Sequence, residues 1–187
     1  MLGQPDLCVS FNMSARQLRE PTVVEWVAMA LAESGLPAAN LIVELTESGI
    51  MQDDEGLLRQ LRGLGVQLAL DDFGTGYSSL SYLSRFPIDI LKIDRSFIAR
   101  LGGESEDSAL VRSVVQLAGS MKMRTVAEGI EGPEQLERVK ELGCDFGQGF
   151  FLSKPMDAIR ATTLVRGTLA SFEDDSSETD VAEASAG

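Results

Sequence analysis

The sequence predicts an α/β fold on a parallel sheet, from three observations. Short apolar runs alternate with helix-like stretches six times along 187 residues, the rhythm of strand–helix units. The runs are apolar at consecutive positions, as strands buried on both faces are. Each run also ends in amide or charged residues, and that end of a parallel strand is where such folds carry their chemistry. Two layouts share this pattern: an open doubly wound sheet and a closed barrel of eight units. The open sheet usually places a glycine-rich phosphate loop after its first strand. Here Asn12-Met13-Ser14 stands in that place.

The first strand is expected from Leu7 to Phe11, ending at Asn12. Ser14-Ala15-Arg16-Gln17 has the spacing of a capping box, and Thr22 to Glu25 repeats it ahead of a helix that stops near Gly35. A strand from Leu41 to Leu45 ends in Thr46-Glu47-Ser48. Asp53 and Asp54 open a helix with Leu57, Leu61 and Leu64 on one face, closed by Gly65. Val66 to Leu70 is the third strand and runs into Asp71-Asp72. A short helical piece, Ser79 to Leu83, precedes Pro87, and a strand from Ile88 to Ile93 carries Lys92 and ends at Asp94. Leu110, Val114, Leu117 and Met121 mark one face of a longer helix. The strand Arg124 to Ala127 then ends in Glu128-Gly129-Ile130-Glu131. Pro133 opens a helix through Leu142 that stops at Gly143. The last strand is expected from Asp145 to Phe151, holding Gln148, and Pro155 precedes a helix running to about Phe172.

Alternation along the strands sorts these residues by face. With Lys92 turned to the sheet's inner side, Ile90 and Asp94 follow it, and Leu91 and Ile93 meet the helices. With Asp71 inward, Ala69 and Gln67 are inward, and Val66, Leu68 and Leu70 are outward. Glu44 inward puts Ile42 beneath it and sends Val43 and Leu45 outward. Asn12, Glu44, Asp71, Asp72, Lys92 and Glu128 therefore gather at one end of the sheet. Paired aspartates repel unless a cation lies between them, and hard divalent ions take such oxygen ligands. Each residue has a plainer role in competition. Asn12 is placed to cap a helix, Glu47 to be a solvated loop charge, and Lys92 to make a structural ion pair. Glu131 is placed to close the turn before Pro133, and Gln148 to bond the backbone between its flanking glycines. Asp72, Gly74 and Gly76 suit a tight turn. For Glu47, Glu131 and Gln148 the plain roles compete evenly; for the other six the joint placement favours a metal site.

Composition narrows the chemistry. The net charge is −13; six acids and no bases lie between Glu173 and Gly187, so the remainder carries −7. That last stretch reads as an acidic disordered tail over 173–187, outside a barrel domain over 5–172. No Lys/Arg-rich stripe offers a surface for a nucleic acid polymer. There is no histidine, which excludes histidine acid–base chemistry and histidine-ligated zinc. Cys8 and Cys144 have neither a zinc nor a redox spacing and read as reduced thiols of a cytoplasmic protein. The longest apolar helix candidate, Val23 to Ala32, contains Glu25 and is too short for a membrane span. No signal peptide is visible at the start.

Six segments in order carry a resemblance. They are Asn12-Met13-Ser14, Glu44-Leu45-Thr46-Glu47-Ser48, Asp71-Asp72-Phe73-Gly74-Thr75-Gly76, Lys92-Ile93-Asp94-Arg95-Ser96-Phe97, Ala127-Glu128-Gly129 and Gln148-Gly149. Over about Pro5 to Asp157 the chain resembles the EAL family of cyclic di-GMP phosphodiesterases, whose fold is a modified eight-stranded TIM-like (β/α) barrel. The resemblance implies an incomplete barrel of about six of the eight units. It implies hydrolysis of one phosphodiester bond of cyclic di-GMP to linear pGpG with two magnesium or manganese ions. Calcium is expected to support binding and inhibit turnover. By matching motif positions Asn12, Glu44 and Asp71 would hold one ion. Asp71 would bridge to the second, with Asp72 and Glu128 around it. Lys92 would orient or help activate the water, Asp94, Gln148 and Glu131 would shape the site, and Glu47 would steady the loop Asp72 to Leu80, a homodimer contact in the family.

The departure is upstream. The family's Glu-Ala-Leu-type strand, with its metal-binding glutamate and a later substrate arginine, is not found before Asn12. The expectation is a chain truncated at its N-terminus, with an open edge at Leu7 and another at Phe151, and with impaired turnover. Mispositioned substrate alone costs on the order of a hundredfold in rate. A non-catalytic EAL module acting as a cyclic di-GMP sensor or protein-interaction domain is the alternative. An enolase-type lyase fits the acids but not the order of the segments.

Overall fold

The computed structural model describes residues 7–50, 55–74, 83, 85–101 and 106–167. Six strands form one sheet: β1 Val9–Asn12, β2 Leu41–Thr46, β3 Gln67–Phe73, β4 Ile90–Ile93, β5 Arg124–Ala127 and β6 Phe146–Gly147. Their order in space is their order in sequence, and every pair is parallel. A doubly wound sheet must reverse its strand order at a switch point. With no reversal, right-handed crossovers put every helix on one face. The sheet is an incomplete α/β barrel, and the open-sheet layout is set aside.

The helix-side face holds the core. Val43, Leu45, Leu68, Leu70 and Leu91 point outward into one cluster with Val27, Leu58 and Leu61. These last belong to the helices Val23–Ser34 and Glu55–Gly63. A second cluster joins Ile93 and Ala127 to Val111, Ile130, Val139 and Leu142, beneath the helices Glu106–Ser120 and Pro133–Glu141. Burying each leucine side chain is worth roughly 1.5–3 kcal/mol. The outward set is the one that strand alternation predicts.

The first helix follows its predicted cap, whereas the box expected at Thr22 to Glu25 does not form: Thr22 precedes the helix Val23–Ser34 but its side chain makes no capping hydrogen bond. Ser14 Oγ accepts from the Gln17 amide while Gln17 Oε1 accepts from the Ser14 amide, closing the predicted box ahead of Ala15–Leu18. Gly35 ends the second helix in the left-handed conformation, φ +68°.

Two aspartates set the entrance end of the sheet. Asp89, just before β4, accepts the Leu68 amide of β3 at 3.0 Å and pairs with Arg62 at 2.8 Å. Asp145, just before β6, accepts from the Thr125 amide at 2.7 Å and from its hydroxyl at 2.9 Å. Thr125 is 1% exposed, so these groups have no water to fall back on. Asp145→Ala is expected to cost about 1–3 kcal/mol in urea unfolding, the penalty for an orphaned buried donor. Burial raises the neighbouring Cys144 thiol to about 11, reinforced by the charge of Asp145. That keeps the sulfur protonated and unreactive at neutral pH.

The last strand is shorter than expected. Only Phe146–Gly147 pairs with β5, whereas the sequence suggested Asp145 to Phe151. After Gln148 the backbone turns back over Ile130. The Ile130 amide donates to Gln148 O at 3.0 Å, the Phe151 amide donates to Ile130 O at 3.0 Å, and the Leu152 and Ser153 amides donate to Gly149 O. β3, by contrast, extends past Leu70 through both aspartates. The fourth strand begins at Ile90 rather than Ile88.

Contacts divide the described residues into a unit running to Ser153 and a second one over residues 154–167. In the second, a helix covers residues 158–167, and the Asp157 carboxylate accepts from the Arg160 amide at 2.9 Å. The expected continuation to Phe172, the tail 173–187, the helical piece from Ser79 and most of the Asp72 to Leu80 loop lie outside the described residues. Among the described residues no helix is long and apolar enough to cross a membrane.

Candidate metal and substrate site

The site begins with Lys92, on a strand whose four residues are all buried. Its neighbours Leu91 and Ile93 face the helices, so the ammonium projects into the barrel. There Nζ lies 2.6 Å from Glu44 Oε2, 3.0 Å from Asp71 Oδ1 and 2.6 Å from Glu128 Oε1. Three strands thus deliver carboxylates to one cation, which is 4% exposed.

The pairing is a consequence of barrel geometry. In hydrogen-bond register Glu44 stands beside Ala69, and Ala69 beside Ile90. Yet Glu44 meets Lys92, two residues farther along β4. Strands about 4.8 Å apart and tilted about 36° slip by roughly 3.5 Å, or one residue, at each step around a barrel. Two steps make two residues. A flat sheet would have placed Glu44 level with Ile90.

Asp72 reaches the same place by another route. Alternation alone sends it outward, away from Asp71. The register between β3 and β4 shifts between Leu70 and Phe73, and Asp72 has φ +56°. This bulge turns two consecutive side chains to one side, the re-aiming that bulges near functional sites provide. Carboxylate oxygens of Asp71, Asp72 and Glu128 then lie within 4.8 Å of one another. The loop leaves through Gly74, φ +97°, where a side chain would strike the Phe97 ring at 2.8 Å.

Electrostatics explain why the cluster needs more positive charge. Burial disfavours the Lys92 ammonium, but its bonds to Glu128, Glu44 and Asp71 outweigh burial and raise its pKa. One ammonium cannot satisfy all its neighbours. Burial raises the Glu128 pKa; Lys92 works against that, and the charges of Asp71 and Glu44 reinforce it. Asp72 is likewise raised, first by burial and then by Asp71 and Asp94. Glu44, Asp71, Asp72 and Glu128 surround a single lysine, an excess that a divalent cation neutralises. Oxygen ligands of an octahedral ion at about 2.1 Å stand roughly 3–4 Å apart; the Asp71, Asp72 and Glu128 oxygens, within 4.8 Å of one another, lie close to that spacing.

The remaining residues fall around this centre. Asn12 is in register with Glu44 on the adjacent strand, at the rim. Glu47 opens the helix Glu47–Ile50 directly after β2. Asp94 caps the helix Arg95–Ile98, accepting the Ser96 amide at 2.9 Å. Burial opposes its ionisation, but the bonds from Ser96 outweigh burial and hold its pKa below the usual range. Gln148 is exposed and contributes its backbone, donating to Ala127 O at 2.8 Å and accepting from Ile130. Glu131 is exposed; its amide donates to Gln135 Oε1 at 2.7 Å, in the turn before Pro133. Arg95 was not singled out by sequence reasoning, although it is the next charged residue after Lys92 and Asp94. Its charge acts on both Asp72 and Asp94.

The chain as a whole is similar to known proteins. The EAL domain family matches residues 1–155. The Pseudomonas aeruginosa bifunctional diguanylate cyclase/cyclic di-GMP phosphodiesterase MucR is 43% identical over 159 residues, covering 83% of this chain and 23% of that protein. This chain thus spans about a quarter of the length of that relative. The solved MucR phosphodiesterase in complex with c-di-GMP is similar with a TM-score of 0.78 at 42% identity, over 84% of this chain and 71% of that one. The EAL domain of Mycobacterium smegmatis DcpA gives 0.81 at 43% identity, over 86% and 73%. Klebsiella pneumoniae BlrP1, solved as a manganese/cy-diGMP complex, gives 0.71 at 32%, over 76% and 38%.

Proposed function

This chain belongs to the EAL domain family, and from that premise we propose that its strand-end cluster serves the hydrolysis of cyclic di-GMP to linear pGpG. The observation that carries the proposal is the meeting of Glu44, Asp71 and Glu128 on Lys92, with Asp72 turned to the same side. Asn12, Glu44 and Asp71 would hold one magnesium or manganese ion, and Asp71, Asp72 and Glu128 a second. Bound there, two ions supply the charge that offsets the attacking and leaving oxygens of an in-line displacement and eases loss of a proton from water. Lys92 donates hydrogen bonds into the cluster and orients an attacking water between its carboxylates. Asp94 and Gln148 hold the backbone ends that border the cluster, and Glu131 the turn behind Gly129. Glu47 steadies the segment that follows β3, which we also assign to homodimer contact. Calcium would occupy the cluster without supporting turnover. The place of action on this reading is the cytoplasm, with no nucleic acid polymer as partner.

Release of pGpG from cyclic di-GMP by the purified chain with manganese, followed by liquid chromatography, tests the reading. Turnover lost in Glu128→Gln supports it; no product at any metal concentration, from a folded protein, refutes catalysis. No Glu-Ala-Leu-type strand occurs within residues 1–187, so we expect slower turnover than a full barrel shows. That same observation favours a second reading, a non-catalytic module that binds cyclic di-GMP. Binding in calorimetry without pGpG release selects it.

A further inference from the structure

Arg95 sits where two rim elements meet. It is the first residue of the helix Arg95–Ile98, immediately after the cap Asp94. Gly129, next to Glu128, has φ +72°, and a side chain there would lie 2.5 Å from Arg95 Cβ and 3.7 Å from its Cγ. The space a side chain would occupy at position 129 is therefore filled by the stem of Arg95. That fixes where the arginine leaves the backbone, beside the end of β5. Its charge is felt at the end of β3 as well, by Asp72. The residue is exposed, and among the described residues its guanidinium makes no ion pair.

We propose that Arg95 binds a phosphate group of the cyclic dinucleotide at this rim, an assignment that rests on the phosphodiesterase reading above. A dianionic ligand must approach a cluster in which four carboxylates surround one lysine. A divalent cation held by Asp71, Asp72 and Glu128 would neutralise those carboxylates and weaken the attraction of Asp72 for Arg95. The planar guanidinium then offers paired donors matched to phosphate oxygens. A lysine at this position would supply charge without the fork. Gly129 is the companion feature: any side chain there displaces the arginine from the rim.

Calorimetry separates this role from a structural one. Cyclic di-GMP is titrated into the calcium-loaded full chain at low ionic strength and at about 0.15 M, where exposed charges farther apart than about 8 Å are largely screened. Arg95→Ala and Arg95→Gln are expected to weaken binding about tenfold or more, the scale of a lost charged hydrogen bond. Both should flatten the salt dependence, and Arg95→Lys should recover part of the loss. Calcium titrated alone should bind at least as tightly as in the parent, since removing a nearby cation does not weaken cation binding. Parent-like affinity and salt dependence in both variants overturn the assignment. So does a loss of dinucleotide binding that merely follows a loss of calcium binding. A folded parent that binds no cyclic di-GMP refutes the phosphodiesterase reading, and this assignment with it.

Discussion

Replacing Lys92 with methionine is expected to destabilise the metal-free protein by about 3–5 kcal/mol, because it strips the shared cation from a buried ion cluster. The parent ammonium contacts carboxylates of β2, of β3 and of Glu128 just after β5 at 2.6–3.0 Å. Methionine fills much of the same volume, so the change is chiefly electrostatic. Urea unfolding in a chelator measures it. Two further outcomes separate repulsion from simple loss of packing. Manganese should stabilise the variant more than it stabilises the parent, since a divalent ion replaces the missing charge. Lowering the pH should also narrow the deficit. Glu128 and Asp72 already have raised pKa values in the fold, through burial first and neighbouring acids next. Groups with raised folded values take up protons before the unfolded chain does, so their repulsion fades as pH falls toward the carboxylate range. A deficit below about 1 kcal/mol, within the worth of a surface ion pair, would mean that the three carboxylates do not depend on Lys92.

The second large effect is expected at Gly149. A methyl group built there would lie 2.1 Å from Ile130 O and 2.2 Å from Ile130 N. Both atoms are engaged: the Ile130 amide with Gln148 O and the Ile130 carbonyl with the Phe151 amide. Backbone cannot step aside as a flexible side chain can. Gly149→Ala should break this clasp and orphan two buried polar groups, costing roughly 3 kcal/mol or more. Calorimetric melting measures the loss. Gly119 is the control: it lies in the helix Glu106–Ser120 with nothing within 4 Å of a built methyl. Gly119→Ala should stabilise by about 0.5–1 kcal/mol. Equal melting temperatures for Gly149→Ala and the parent would show that the turn over Ile130 is not held as described.

Much of the site was legible because strand alternation is a local rule. Lys92 and Glu44 sit between apolar neighbours that face the helices, and Asp71 follows Leu70, which does too, so their inward direction follows from their own strands. The helix-capping signals at Ser14 and Gly35 were local too. Arg95 escaped notice because exposure at a helix start is ordinary for arginine, and only its contact with Gly129, thirty-odd residues away in sequence, marks it. The extent of β6 was misjudged for a similar reason. Gly147 and Gly149 suit an extended strand as well as a close approach, and the carbonyl of Ile130 decides between them.

The chain's own order of apolar and polar residues determined the parallel α/β architecture, the face each strand turns to its helices, and the end at which the acids collect. Only the assembled structure decided which acids touch. Strand tilt slips the layers so that Glu44 meets Lys92 rather than its register neighbour, and a bulge with a left-handed residue swings Asp72 beside Asp71. Both are relations between strands, set by hydrogen-bond register and the curl of the sheet, and no spacing within a single strand encodes them.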